Sequence, residues 1–358
     1  MLDGYSLAHV AAPKIADHLA QHRRNQPAQE RSPDILLPDA ATIETLLDAA
    51  FWASLRREEG YVPKISLAWL PATPDVNPLL FASSLTLDSA RLAKLAPAVE
   101  RPGIHLGVWE GRVWGTTRHI PPFCLVVEVL APGLLVVKHR PRVESPKFVN
   151  VAVIEADRVK IVDEGASAIV DCPALLTSLL GFETPGASRT NTLIQIAISM
   201  RRHGRGGALI VVPADTDGWQ QSIVQPISYA VNPAFSDPDW TSDRPRAVDA
   251  LAGLTAVDGA TIITDRYELL AFGAKIRRKT GGESVEQLIV TEPIEGSVAE
   301  RLHPVQLGGT RHLSAAQFVK DQHDALALVA SQDGHFTIFA WSPWEETVHA
   351  HRIEALLL

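Results

Sequence analysis

The run GALIVV at residues 207–212 constrains the fold of this chain more than any other stretch. Continuous apolar runs of this length, bounded by glycine, are typical of strands buried on both faces of a sheet. Helical patterns precede and follow the run, over residues 188–203 and 246–257. Because such strands need helices on both sides, the pattern predicts an α/β fold with a mixed central sheet flanked by helices.

The first half of the chain has a different character. Amphipathic spacing predicts three helices, over residues 6–25, 41–58 and 88–99. Asp39 and Asp88 are suited to cap the second and third of these. From 104 to 163 short apolar runs alternate with turn pairs such as Glu110-Gly111, which predicts hairpins. We therefore expect an α+β module with an antiparallel sheet over residues 1–170, followed by the α/β domain over 171–358.

Composition excludes several classes of protein. The 358 residues carry a formal charge of -8, which argues against a general polyanion binder and gives no strong nucleic-acid signal. Cys124 and Cys172 cannot build a disulfide framework, and they indicate a reducing, cytoplasmic setting. No apolar run approaches 18 residues, so no membrane span is expected. Tightly spaced Cys/His pairs that would hold a structural zinc are also absent from the sequence.

The stretch LGGTRHLSAA places Gly309, Thr310, Arg311 and His312 at a predicted loop-to-helix junction. The first turn of a helix has backbone N–H groups without intrahelical acceptors and the positive end of the helix dipole, so it suits an anion. The alternative is a plain helix start with Arg311 and His312 facing solvent.

The second polar motif is Asp258-Gly259-Ala260, where a helix is expected to end and a strand to begin. Aspartate at such a turn can hold a divalent cation or accept a proton from a hydroxyl group. Glycine there permits a positive φ or the close approach of a ligand. The alternative is that the Asp-Gly pair only makes the turn.

Taken in order, GALIVV, DGATII, LGGTRHLSAA and HDALALVASQDGHFTIF resemble the diadenylate cyclase (DAC, or DisA_N-like) domain over about residues 175–345. Within that superfamily the chain is most similar to the DAC-related nucleotide-sensor proteins of the DACNV type. The resemblance implies a nucleotide pocket lined by Gly259 and Ala260, and phosphates held at 309–312. It also implies that Asp258 lies near a metal and the ribose 3′-hydroxyl, and that Asp321 is a second carboxylate aimed at that Mg²⁺ or Mn²⁺.

The resemblance implies two functions, and a structural protein with a vestigial site is a third interpretation. The first is a bacterial signalling sensor that binds ATP or a cyclic dinucleotide. The alternative is an active diadenylate cyclase, a nucleotidyltransferase in which two domains meet face to face and join two ATP molecules, with Asp258 catalytic. Such a cyclase would be a homo-oligomer. The family motif continues Arg-His-Arg, whereas Leu313 follows here, so one phosphate-binding guanidinium is lost. Lys320-Asp321 also replaces the family's Ser-Glu pair.

Four further features have an ordinary structural interpretation, and two of them have a functional alternative as well. The extra stretch at 277–304 contains Arg277, Arg278 and Lys279, which either form a solvated loop or replace the lost charge. A second Thr-Arg-His at 117–119 lacks a following helix and is expected to be a coincidence. Trp109 and Trp114 in a hairpin either pack within the sheet or stack on a base or partner. His349 and His351 alternate on one strand and are expected at the surface.

Overall fold

The GALIVV run is an interior strand of a ten-stranded sheet in the computed structural model. The structure describes residues 4–24, 37–72, 78–141, 148–163, 192–228, 244–332 and 334–357. The chain divides into two units, Met1–Asp163 and Glu164–Leu358. The predicted boundary at 170, the first residues of the helix predicted over 188–203, and Cys172 lie outside the described residues. The domain assignment therefore stays a prediction.

Eight strands make the sheet of the N-terminal unit, in the order β2-β4-β3-β1-β5-β6-β7-β8. They are β1 (Ile65–Trp69), β2 (Leu79–Thr86), β3 (His105–Trp109), β4 (Arg112–Thr117), β5 (Leu125–Ala131), β6 (Leu134–His139), β7 (Val149–Glu155) and β8 (Arg158–Ile161). The predicted antiparallel pairing holds for every pair but one, because β1 and β3 are parallel. A parallel pair needs a crossover connection, and β2 and the helix that follows it provide this connection.

Three helices of the N-terminal unit confirm the predicted amphipathic stretches. They are α1 (Ser6–Arg24), α2 (Ala40–Ser54) and α3 (Ser89–Val99). The Asp39 carboxylate accepts a hydrogen bond from the Thr42 N–H, and Asp88 accepts one from the Arg91 N–H. Each cap satisfies an N–H group of the first turn. The apolar faces of all three helices join one buried core with inward side chains of the sheet, such as Leu67.

The sheet of the C-terminal unit has the order β10-β13-β12-β9-β16-β17-β18-β14-β15, and β11 also pairs with β13. Its strands are β9 (Gly207–Val212), β10 (Ile223–Val224), β11 (Ile227–Ser228), β12 (Ala260–Thr264), β13 (Leu269–Ile276), β14 (Leu288–Thr291), β15 (Glu300–Leu302), β16 (Leu326–Ala330), β17 (Phe336–Ser342) and β18 (Thr347–Arg352). The β9/β12 and β14/β18 pairs are parallel, and the other pairs are antiparallel. The sheet is therefore mixed, as predicted.

Helices pack on both faces of this sheet. They are α4 (Thr192–Arg202), α5 (Arg244–Thr255), α6 (Pro304–Leu307), α7 (Thr310–Asp321) and α8 (Glu354–Leu357). Along β9, Leu209 and Val211 join the core that contains α4 and α5. Ile210 and Val212 join the opposite core, which contains Phe318 of α7. Since successive strand residues point to opposite faces, this division confirms that GALIVV is buried on both sides.

Among the described residues, no helix has the length and apolar character needed to cross a membrane. The expectation for the histidines of β18 was wrong: His349 is 3% exposed and His351 is 1% exposed. Strand β18 lies between β17 and β14, inside the sheet rather than at its edge. Each ring has a hydrogen-bonding partner: His349 Nε2 and the Glu345 carboxylate are 2.7 Å apart, and His351 Nδ1 and the Thr291 hydroxyl are 2.6 Å apart.

Candidate functional site

The Asp258-Gly259 turn lies between the end of α5 and the first residue of β12, Ala260. Gly259 has φ +113°, and a Cβ there would lie 2.5 Å from the carbonyl carbon of Gly273 in β13. Only glycine fits, because both the left-handed backbone and the neighbouring strand exclude a side chain. The glycine of this motif is therefore required by the fold, whether or not a ligand approaches it.

The Asp258 carboxylate is 91% exposed and forms an ion pair with Lys275 of β13. The hydrogen bond from Lys275 and its charge hold the pKa of Asp258 below its ordinary value, and the charge of Arg311 acts in the same direction. The side chain is thus an ionised, accessible carboxylate. This is the state needed to hold a cation or to accept a proton.

Helix α7 begins at Thr310, directly after the Gly308-Gly309 pair. Gly309 is the N-terminal cap residue. It has no side chain, so no side-chain hydrogen bond caps the first turn. Thr310 is exposed. A helix start that lacks a side-chain cap leaves N–H groups available to an anion or to water.

Arg311 is half-buried and reaches the turn that leads into β9. A Cβ at Gly206 would lie 3.0 Å from the Arg311 Nη1 and 3.3 Å from the carbonyl oxygen of Ala330, the last residue of β16. The guanidinium therefore lies at the end of the sheet where β9 begins and β16 ends.

Strand register places Asp258 at this same end of the sheet. Strands β9 and β12 are parallel, with Leu209 opposite Thr261, so the turns before the two strands are neighbours. Strand β13 runs the other way, with Ala274 opposite Ala260, which brings Lys275 to the same end. We call the set Gly206, Asp258, Gly259, Lys275 and Arg311 the polar edge. Asp258, Gly259 and Arg311 were predicted site residues, and the structure brings them together.

His312 points away from the exposed side of this junction. It is only 5% exposed, and its ring meets the edge of the Phe339 ring at a centroid distance of 6.1 Å. A Cβ at Gly308 would overlap the His312 ring. His312 thus packs between the loop and the sheet, and its contact with a phosphate stays a prediction. Leu313 is half-buried and packs against the apolar core on this face of the sheet.

Asp321 ends α7, ten residues after Arg311. At about 1.5 Å per residue this is about 15 Å along the helix axis. Its Oδ2 accepts a hydrogen bond from the Lys279 N–H at 2.8 Å. The described residues contain no cluster of three or more His, Cys, Asp or Glu side chains arranged to hold a metal ion. The predicted pairing of Asp258 and Asp321 on one metal stays a prediction.

The extra stretch that begins at 277 is fastened to α7. Gln317 accepts from the Val285 N–H at 3.0 Å and donates to the Glu283 carbonyl at 3.0 Å. Lys320 donates to the Ser284 carbonyl at 3.0 Å. Arg278 is also held within the loop, through a 2.6 Å bond to the Ser284 hydroxyl. We call residues 277–286 the clasp loop, because side chains of α7 hold its backbone.

The sequence did not predict three residues at this site: Lys275 and Gly206, which belong to the polar edge, and Gly273, which lies beside it. Lys275 carried a usable signal, since it is the first charged residue at the end of an otherwise apolar strand that returns to Asp258. Gly206 and Gly273 both have positive φ values, of +70° and +61°. Glycine alone in a sequence does not reveal which neighbouring chain requires it.

The hairpin tryptophans have separate environments. The Trp114 indole N–H donates to the Leu70 carbonyl at 2.8 Å, and its side chain is buried, which matches the packing interpretation. Trp109 lies 4.9 Å from Trp69, measured between ring centroids. Both Trp69 and Trp109 line a cavity in the N-terminal unit.

The two sheets and the polar edge define an α/β protein of two units with an exposed acid–base pair beside glycine turns. Residues 32–118 match the family described as "Probable sensor domain DACNV". The predicted resemblance to DACNV-type proteins is thereby confirmed, and the N-terminal unit carries this match. The motifs that suggested the resemblance lie elsewhere, in the C-terminal unit.

No curated protein matches the chain. Among solved structures it is similar to the hypothetical membrane spanning protein from Bacillus cereus, at 14% identity over 51% of this chain and 72% of that chain, with a TM-score of 0.29. It is also similar to a double mutant of DacA from Staphylococcus aureus, at 12% identity over 44% of this chain and 83% of that chain, with a TM-score of 0.25. At these TM-scores neither similarity carries an argument about this chain.

Proposed function

We propose that this chain is a signalling sensor whose C-terminal unit binds a nucleotide at the polar edge. The observation that carries the proposal is the meeting of Arg311 and Asp258 at one end of the sheet, beside two positive-φ glycines. A guanidinium recognises phosphate oxygens through paired hydrogen bonds, and glycine turns let a ligand approach the backbone closely. The DACNV match over 32–118 supports the sensor role.

In this proposal the phosphates lie between Arg311 and the uncapped start of α7. Both features attract anions, the first through its charge and the second through N–H groups and the helix dipole. Asp258 holds a Mg²⁺ or Mn²⁺ that neutralises the phosphates, after Lys275 has moved aside or turned to a phosphate oxygen. Nucleotide ligands such as ATP or a cyclic dinucleotide are cytoplasmic, so we assign the protein to that compartment.

The alternative is an active diadenylate cyclase, and the exposed, ionised Asp258 is the observation in its favour. A carboxylate in that state could orient a metal beside an attacking 3′-hydroxyl group. Against it, the loop offers one guanidinium where the cyclase motif has two, since Leu313 packs into the core. An in-line phosphoryl transfer depends on cationic groups that stabilise developing charge. We therefore favour binding over turnover.

Isothermal titration of the full chain with ATP and with cyclic di-AMP tests this proposal, each with and without Mg²⁺ or Mn²⁺. Loss of a charge-assisted hydrogen bond costs about 1.5–3 kcal/mol, so Arg311→Gln should weaken binding about 10- to 100-fold. Asp258→Asn should weaken only the metal-dependent part. The matched control is Arg118→Gln, which removes the arginine of the other Thr-Arg-His tripeptide and should leave affinity unchanged.

Equal nucleotide affinity in wild type and Arg311→Gln would show that the polar edge is not the binding site. The same samples, incubated with ATP and Mn²⁺ and then assayed for cyclic di-AMP, separate the two functions. Product that accumulates in wild type and is lost in Asp258→Asn would establish the cyclase and overturn the binding-only role.

A further inference from the structure

The N-terminal unit has a cavity of about 300 Å³ on the side of the sheet that α2 covers. The first turns of α2 form one wall, and the end of β1 and the β3–β4 hairpin form the other. Its lining includes Asp39, Thr42, Trp69, Leu87, Trp109 and Glu110. The volume is at the lower end of small-molecule sites, so it suits a ligand of about one or two fused rings.

Two indole rings form the apolar wall of the cavity. Trp69 and Trp109 have ring centroids 4.9 Å apart and an interplanar angle of 36°. Trp109 is half-buried and lines the cavity, so its indole is the ring that a planar ligand can contact there. Trp69 is only 9% exposed, yet its indole N–H makes no hydrogen bond within the described part of the chain. This N–H is not among the fully buried polar groups that lack a partner, so it is accessible, and a ligand atom in the cavity would supply an acceptor for it.

The charges at the cavity are of one sign. Among the described residues that line it, Asp39 and Glu110 carry charge, and none is a lysine, arginine or histidine. The hydrogen bond from Thr42 holds the pKa of Asp39 below its ordinary value. That carboxylate also offsets the positive end of α2, which it caps. Phosphate groups would therefore be repelled, whereas N–H donors and cationic rings would be attracted.

The position of the cavity is an independent observation. The described residues that line it lie between 39 and 111, inside the stretch that matches the DACNV sensor family. A second cavity in the same stretch, of about 480 Å³, is lined by both acidic and basic side chains and by Tyr61. Tyr61 is 77% exposed, and it is the one aromatic side chain among the described residues that line that cavity. The first cavity, which we call the tryptophan cavity, combines two indole rings with carboxylates of one charge sign, so it discriminates between ligands better than the second cavity does.

We infer that the tryptophan cavity is a second ligand site, in which the sensor domain takes a planar nitrogen heterocycle of nucleobase size, neutral or cationic and without phosphate. The ring stacks on Trp109 and accepts from the Trp69 indole N–H through a ring nitrogen. Its exocyclic N–H groups donate to Asp39 or Glu110. The site is separate from the polar edge and does not depend on the nucleotide proposal.

The experiment uses the full chain carrying Arg311→Gln, so that binding at the polar edge is suppressed, and titrates it with adenine, adenosine and AMP by calorimetry. Adenine and adenosine should bind, and AMP should bind about 10-fold more weakly because its phosphate meets the carboxylates. Adding Trp109→Ala should weaken adenine binding about 10-fold or more, as expected for loss of a stacking partner. Adding Glu110→Gln should reduce the discrimination against AMP.

Tyr61→Ala is the matched control, since it removes an aromatic side chain from the other cavity of the same unit. It should leave adenine affinity unchanged. Trp109 packs against the apolar core of this unit, so circular dichroism of each variant is needed to show that the sheet is retained. Three results would overturn the inference: no heat with adenine or adenosine up to millimolar concentration, equal affinity after Trp109→Ala, or tighter binding of AMP than of adenosine. Each of these leaves the nucleotide proposal untouched, because that proposal is tested separately, by the loss of affinity for ATP or cyclic di-AMP between wild type and Arg311→Gln.

Discussion

The same three residue types, Thr-Arg-His, have opposite arrangements in the two units of this protein. In Thr117–His119 the threonine is 3% exposed and the histidine lies at the surface. In Thr310–His312 the threonine is exposed and the histidine is 5% exposed. Identical side chains therefore have exchanged structural roles.

The backbone before each tripeptide explains the difference. Thr117 ends strand β4, where the alternation of side chains points it toward the core. Thr310 begins α7 after two glycines, and the helical turn brings His312 inward, close over Gly308. A short motif thus acquires its chemistry from the element that carries it, and only the second tripeptide has its arginine at a sheet end with an opposing carboxylate.

The largest expected difference concerns the two histidines. His312→Ala should lower the free energy of unfolding by about 3 kcal/mol, because it removes a buried ring and leaves a cavity against Phe339. His119→Ala, at an exposed position, should change it by less than about 0.5 kcal/mol. Urea denaturation of both variants measures the two values. Equal losses would show that context does not separate the tripeptides.

The glycine pair before α7 should show a smaller contrast. Gly308→Ala should cost about 1–2 kcal/mol, because the new methyl group overlaps the His312 ring and forces it to shift. At Gly309 a Cβ would have no neighbour within 4 Å, and φ is -74°. Gly309→Ala should therefore cost less than about 1 kcal/mol, the difference between glycine and alanine at a cap. A larger loss at Gly309 than at Gly308 would contradict this account of the junction.

The threonines should reverse the order seen for the histidines. The Thr117 hydroxyl donates to the His119 carbonyl and accepts from the His119 N–H, each at 3.2 Å. Thr117→Val keeps the shape and loses both bonds, so it should cost about 1 kcal/mol. Thr310→Val should cost less than about 0.5 kcal/mol, because that side chain is exposed. The same urea series measures both, and a greater loss at Thr310 would break the comparison.

Local rules were enough for much of the fold. The apolar run at 207–212 correctly predicted a strand buried on both faces, and Asp39 and Asp88 were correctly assigned as caps. These signals depend on neighbours in sequence, so they can be read without the structure. Asp258 and Arg311 were also predicted as site residues from their local motifs. That they lie at the same end of the sheet depends on strand register, which those motifs do not specify.

The features that the sequence did not predict depend on pairing between strands that are far apart in the chain. The parallel β1/β3 pair and the burial of His349 and His351 follow from strand order, which alternation along one strand does not specify. Lys275 meets Asp258 only because β13 returns beside β12. The clasp loop has the composition of a solvated loop. Its backbone groups nevertheless form hydrogen bonds with side chains of α7, and no local sequence pattern predicts these bonds.

The smallest effect concerns the pKa of Asp258, and it tests whether Arg311 really belongs to the polar edge. Lys275 is the main cause of the lowered pKa, and Arg311 adds to it. Lys275→Gln should therefore raise the pKa of Asp258 toward its ordinary value, Arg311→Gln should raise it less, and Arg118→Gln should leave it unchanged. Carboxyl chemical shifts in ¹³C NMR, followed against pH, measure all three. Because the folded pKa is depressed, the ion pairs are complete above the unfolded pKa and are lost as pH falls through the folded one. If Arg311→Gln and Arg118→Gln gave the same titration, the tripeptide at 310–312 would have no more connection to Asp258 than the one at 117–119.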